Sequence, residues 1–207
     1  SFYGDYVYII SLATMLATLA DFGSHLITVR EASQEEKKQG QIIANVFILR
    51  LIFVSLAVII LVGLAFIPSF SGLAKQDSNL TLPLIFSSLI ILSLSFKNSL
   101  TIIFHTKLKL FYFSLMNFLT AFLAFFGTVF LVGVNAGKKP SFFVLNLGLA
   151  NFLAFIFFLP LALRLINLKF KLSRKIIKRI IRQTAPMGGI LLLFTLYSKI
   201  DTVILKL

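Results

Sequence analysis

The sequence predicts an all-α, polytopic membrane protein with about six transmembrane helices. Of its 207 residues, 58% are hydrophobic, against roughly 45–50% apolar in soluble domains even with glycine counted. Mean hydropathy is +0.99. The apolar runs are long and unbroken, whereas a transmembrane barrel would show segments of about ten residues alternating in polarity. Basic residues gather in the short loops between these runs, which marks membrane orientation and argues against a nucleic-acid face despite a net charge of +13.

Six stretches reach the roughly 20 residues that a 30 Å hydrocarbon core demands. The first, Tyr6–Val29, closes on Arg30 and Glu31. The second, Ile42–Ile67, is stopped by Pro68, and Asp77-Ser78-Asn79 precedes the third, Leu80–Phe104. Asn135–Pro140 separates the fourth, Leu110–Val134, from the fifth, Phe142–Leu163. The last is Ala185–Leu207, opening on Pro186-Met187-Gly188-Gly189, where proline removes a donor and glycine weakens a helix. Before it lies a basic segment in which Ser173 is a candidate N-cap. There Ile176, Ile177, Ile180 and Ile181 share one face, opposite Lys175, Lys178, Arg179 and Arg182. That pattern predicts an amphipathic helix lying on an anionic leaflet. The organisation expected is residues 1–163 as one helical lobe, 164–183 as a cytoplasmic linker, and 184–207 as the first helix of a second lobe. The chain opens inside an element at Ser1-Phe2-Tyr3-Gly4 and stops inside an apolar run, so it reads as a fragment of a longer protein.

Lysine and arginine counts set the expected topology. Loops after the first, third and fifth stretches hold thirteen, and those after the second and fourth hold only Lys75, Lys138 and Lys139. The richer set belongs in the cytoplasm. No cysteine is present, which removes disulfides, thiolate metal sites and cysteine catalysis. With only His25 and His105, no metal site is expected. No cofactor and no catalytic constellation emerges either, and Asp77 is the only carboxylate in the outer loops. The chain is therefore expected not to be an enzyme.

Charges inside the spans are the functional signal, because an ionisable group at bilayer depth costs at least a few kcal/mol and faces a bundle interior, a partner or a wet cavity. Asp21 lies eight residues before the end of its stretch, Arg50 eight after the start of the next, and Lys97 seven before Phe104. At 1.5 Å per residue, all three fall roughly 10–12 Å above the cytoplasmic boundary. Snorkelling would account for Arg50 or Lys97 singly, but less well for the short Asp21. The expectation is an Asp21–Arg50 pair, with Lys97 leaving the layer net positive toward a cavity. Ser93, Lys97 and Thr101 share a face, a polar stripe that either lines a water path or bonds its own backbone. His105 lies near the cytoplasmic end and is expected to be an interface residue and not a proton relay. Lys199 and Asp201 lie roughly 21–24 Å into the last stretch, on different sides, each needing a partner elsewhere.

Tyr3-Gly4-Asp5-Tyr6, then Leu19-Ala20-Asp21-Phe22-Gly23, then Val29-Arg30-Glu31 resembles the second transmembrane helix of polysaccharide flippases. Ala185-Pro186-Met187-Gly188 followed by Leu196-Tyr197-Ser198-Lys199-Ile200-Asp201 is similar to the seventh helix of the same family. That family belongs to the superfamily of multidrug, oligosaccharidyl-lipid and polysaccharide exporters. The resemblance implies a two-lobed protein of 12–14 helices, lacking here its first helix and most of the second lobe. It also implies a multi-pass location in the inner (cytoplasmic) membrane. The implied activity is turning undecaprenyl-pyrophosphate-linked oligosaccharide from the inner to the outer leaflet by alternating access. Its partners would be that lipid-linked substrate and the surrounding lipids, with no nucleic acid. Asp21, Arg30, Lys199 and Asp201 match motif positions, whereas Arg50 and Lys97 come from depth alone. Arg30, Arg50 and Lys97 are the candidate headgroup-binding residues, and Asp21, Lys199 and Asp201 the candidate ion-pair or coupling residues. Two rivals stand beside this reading: a cation-coupled drug exporter of the same superfamily, and a membrane enzyme polymerising or ligating lipid-linked glycans.

Overall fold

Two consecutive left-handed residues divide the first apolar stretch. The computed structural model describes residues 2–66, 81–134, 140–168 and 170–204, and in it α1 (Phe2–Asp21) ends where Phe22 (φ 47°) and Gly23 (φ 66°) turn the chain into α2 (Ser24–Gln34). Glycine takes this conformation at no steric cost. For Phe22 it costs about 1–2 kcal/mol, and the ring is held by stacking on Phe53 at a centroid distance of 5.9 Å. The single helix expected over Tyr6–Val29 is therefore two helices with a break beside Asp21.

A 3₁₀ turn, Glu36–Lys38, leads to α3 (Gln39–Phe66), followed by α4 (Thr81–Thr106), α5 (Leu110–Gly133), α6 (Pro140–Leu165) and α7 (Arg174–Ile204). Pro140 opens α6, where its missing N–H is not needed. No strand occurs among the described residues. Five helical stretches are long and apolar enough to cross a membrane: Tyr3–Gln34, Glu36–Phe66, Thr81–Thr106, Leu110–Gly133 and Pro140–Leu165. The sixth expected stretch falls on α7, and its last three residues lie outside the described ones.

Helix α4 is the centre of the bundle and packs most extensively on α6, with α1, α2 and α3 around it. Small residues make the close approach: Ala150 and Ala154 of α6 are buried, and Gly148 sits against Leu89. Asn146 Nδ2 donates to Ala124 O (3.0 Å) and Thr128 Oγ1 (3.2 Å), tying α6 to α5. Two apolar cores result. One, at the basic end, gathers Ile43, Val46, Ile103, Phe104, Met116 and Phe158. The other gathers Ile9, Ala13, Val54, Leu61, Ile90 and Val144. By contrast α5 exposes Phe118, Phe122, Phe125, Phe126 and Phe130, a side suited to lipid.

The basic segment is continuous with the last expected span. Helix α7 runs unbroken across the expected boundary at 183/184, with Pro186 inside it, so the amphipathic segment and the start of the last span are one helix. It does not lie alone on a leaflet. Ile180 is buried in the core, and α3 grips the preceding residues: Asn45 accepts from the Ser173 N–H (2.9 Å) and donates to Lys171 O (3.0 Å). Gly40 allows this approach, since a Cβ there would run into the carbonyl oxygen of Asn167.

Candidate functional site

The helix break and a buried guanidinium are built on each other. Arg50 of α3 is 2% exposed, and its Nη2 pairs with Asp21 Oδ1 at the end of α1. Its Nε donates to Ser24 Oγ (2.9 Å), on the first residue of α2, and its Nη1 to Ser99 Oγ (3.3 Å) on α4. Ser24 Oγ in turn donates to Asp21 Oδ1 (3.4 Å). One side chain thus joins four helices through a charge pair and two hydroxyls, which is the condition for burying a charge without prohibitive desolvation cost. The space beside it holds about 10 Å³ and is lined by Asp21, Phe22, Arg50 and Thr184 among others. That is room for about one water, so this space does not admit a headgroup.

Lys97 lies elsewhere. It is 9% exposed, and its Nζ donates to Thr120 Oγ1 (3.4 Å) on α5. None of the described ion pairs involves it. The expected single layer of three charges therefore divides: Asp21 and Arg50 close on each other at the α1–α2 break, while Lys97 reaches toward α5. The polar stripe also resolves into backbone contacts. Ser93 Oγ donates to Ile90 O (3.1 Å) and Thr101 Oγ1 to Lys97 O (3.1 Å), so neither hydroxyl is spent on a path.

His25 Nε2 lies 3.3 Å from His105 Nδ1, with the rings edge to face at 5.1 Å. One nitrogen must present a proton to the other's lone pair, and the contact joins α2 to α4. Among the described residues no group of three or more His, Asp or Glu is placed to hold a metal.

A second charged cluster was not anticipated. Arg179 of α7 bridges two carboxylates of the opposite chain segment, Nη2 to Glu31 Oε2 at 2.7 Å and Nη1 to Glu35 Oε1 at 2.8 Å. Lys38 Nζ adds a contact to Glu35 Oε2 at 3.2 Å. Hydrogen bonds from Arg179 and Lys38 hold the Glu35 carboxyl below the usual carboxylate range, and the bond to Glu35 raises Arg179. Arg30 is half exposed, 3.8 Å from Glu31 Oε1, and donates to Gln183 Oε1 (3.4 Å). The signal was present in the sequence: Glu31 and Glu35 share a helix face at i, i+4, in a chain with only seven acidic residues. Because the folded pKa of Glu35 is lowered, its contact with Arg179 is complete above the ordinary carboxylate range and lost as pH falls through the lowered value. An environment-sensitive fluorophore on Lys175→Cys, beside the cluster, should report greater exposure over that acid range and no change between pH 6 and pH 8.

Lys199 and Asp201 lie on the helical backbone of α7, and their side chains fall outside the described residues.

Five membrane-crossing stretches and a charge pair buried at a helix break define a multi-pass α-helical membrane protein that keeps ionisable groups inside its bundle. The chain matches the polysaccharide biosynthesis protein family over residues 2–207 and belongs to it. Membership supports a role in lipid-linked polysaccharide synthesis or export, in a family whose members are generally transporters. Neither the curated proteins nor the solved structures include a match.

Proposed function

We propose that this protein flips undecaprenyl-pyrophosphate-linked oligosaccharide from the inner to the outer leaflet of the cytoplasmic membrane by alternating access. The observation that carries the reading is Lys97, a buried amine inside membrane-spanning helices whose described partner is a hydroxyl and not a carboxylate. A cation kept there without a counter-charge among the described residues is suited to attracting an anion, and a pyrophosphate headgroup brings one. Arg30, exposed at the basic end, would meet that headgroup first. Arg50 takes a different part: its guanidinium is engaged by Asp21, Ser24 and Ser99, so it holds the helix break and leaves anion binding to the other two. The same pairing disfavours a cation-coupled exporter working through Asp21, since a coupling ion would have to displace the guanidinium.

The reading is tested by surface glycan in cells carrying the full-length protein. With Lys97→Ala, glycan should fall at least tenfold at unchanged protein level, and Lys97→Arg should restore most of it. Normal glycan in both Lys97→Ala and Arg30→Ala cells, at normal protein levels, would remove these cations from substrate handling.

A further inference from the structure

Helices α2 and α7 form an antiparallel seam whose contacts follow one another in order along both helices. Gly23 meets Gly188, where a Cβ on Gly23 would lie 3.2 Å from the Gly188 nitrogen. Further along, Arg30 meets Gln183, and Glu31 and Glu35 meet Arg179. As the α2 partner advances from 23 to 35, the α7 partner recedes from 188 to 179, over roughly 18 Å of helix. The seam changes character along its length. At the glycine end it is backbone against backbone. At the basic end it is carried by charges, with Glu31 nearly buried (5%) and Arg179 half exposed (49%).

Two further observations show what the charged end controls. A cleft of about 270 Å³ lies under it, lined by Glu31, Glu35, Lys38, Ser173, Lys175 and Arg179 among others, so the charges span a gap that apolar packing leaves unfilled. Beyond the glycine contact α7 presents an exposed face: none of the described side chains from 189 to 198 is buried, and Leu193, Phe194 and Tyr197 are at least 66% exposed. Before Gly188, α7 is held by these ion pairs beside the apolar contacts of Ile176 and Ile180.

We infer that Glu31, Glu35 and Arg179 form a releasable ionic latch that closes α7 onto α2 on the cytoplasmic side, and that releasing it is an obligatory step in transport. This rests on the alternating-access reading above. Two-point pairing of one guanidinium with two carboxylates gives the closed state a defined geometry. Exposure of Arg179 gives water access to the pair, so opening replaces each ionic contact with hydration and strands no charge in a dry interior. A permanent structural clamp would more naturally be apolar, like the cores of the same bundle.

A latch and a clamp respond oppositely to being tied shut. The 207 residues contain no cysteine, so Glu35→Cys with Arg179→Cys can be introduced in the full-length protein, any cysteines elsewhere being replaced. A reducible bifunctional thiol reagent then bridges α2 and α7, and the appearance of new surface glycan is followed before and after reduction. The latch predicts efficient cross-linking, at least a tenfold slower appearance of glycan while linked, and recovery on reduction in the same cells. Undiminished export by quantitatively linked protein would overturn the latch while leaving the flippase reading standing. Failure of the pair to cross-link would overturn it too, since the seam would then not exist. If cells lacking the protein displayed normal glycan, the flippase reading itself would fail, which the comparison with unlinked protein distinguishes.

Discussion

Asp21→Ala should destabilise the protein by about 3–5 kcal/mol, more than the loss of its partner in Arg50→Leu. Removing either member breaks one ion pair, but the groups left behind differ. Asp21→Ala strands a guanidinium that is 2% exposed, with two serine hydroxyls for company. Arginine cannot shed its proton in a protein, so the full cost of an uncompensated buried charge falls on the fold. Arg50→Leu strands a carboxylate that is 21% exposed and can accept a proton to become neutral. Its cost should be nearer that of a lost hydrogen-bonded group, about 1–3 kcal/mol. The double variant Asp21→Leu/Arg50→Leu should regain stability over Asp21→Ala, because no charge is left unpaired. Thermal unfolding of the detergent-solubilised full-length protein ranks the three variants. Asp21→Ala melting with the unsubstituted protein would show that Arg50 does not depend on Asp21.

The second large effect lies at the glycine contact between α2 and α7. Gly23→Val should cost about 3 kcal/mol or more. The residue sits at φ 66°, where a side chain costs about 1–2 kcal/mol, and overpacking at a tight contact adds about 1–3 kcal/mol. Gly188 and Gly189 then make a paired comparison one residue apart. A Cβ at Gly188 would lie 3.0 Å from the Phe22 carbonyl oxygen, while one at Gly189 meets nothing within 4 Å. Alanine in a helix interior is favoured over glycine by about 0.8–1 kcal/mol. Gly189→Ala should therefore hold or raise the melting temperature. Gly188→Leu should lower it and reduce the yield of α2–α7 cross-linking. Equal effects at both positions would mean that the two helices do not approach at Gly188.

Much of the architecture could be read before any coordinates. Long apolar runs with proline, glycine and polar punctuation require membrane helices, because lipid leaves the backbone no other partner than itself. Depth counting brought Asp21 and Arg50 to one level, since rise per residue is fixed in a helix, and the structure pairs them. The same counting put Lys97 at that level but said nothing of its direction around the bundle, and it turned toward Thr120 of α5. The break at Phe22-Gly23 was also invisible as a break. Its hydropathy continues through both residues, and a left-handed phenylalanine is disfavoured locally and held by packing from elsewhere in the chain, on Phe53 and against Gly188.

The seam marks the same division. Composition and periodicity settled that residues 174–182 form a helix with one basic face, because helical spacing is a local property of the chain. Whether that face meets lipid headgroups or protein is decided by what lies opposite. Glu31 and Glu35 come from a helix more than a hundred residues earlier in the chain, and only packing brings them to Arg179. Local chemistry therefore determined the elements and the depth of their charges. Tertiary packing alone decided which charge meets which, because rotation about each helix axis and the choice of neighbours depend on all the helices together.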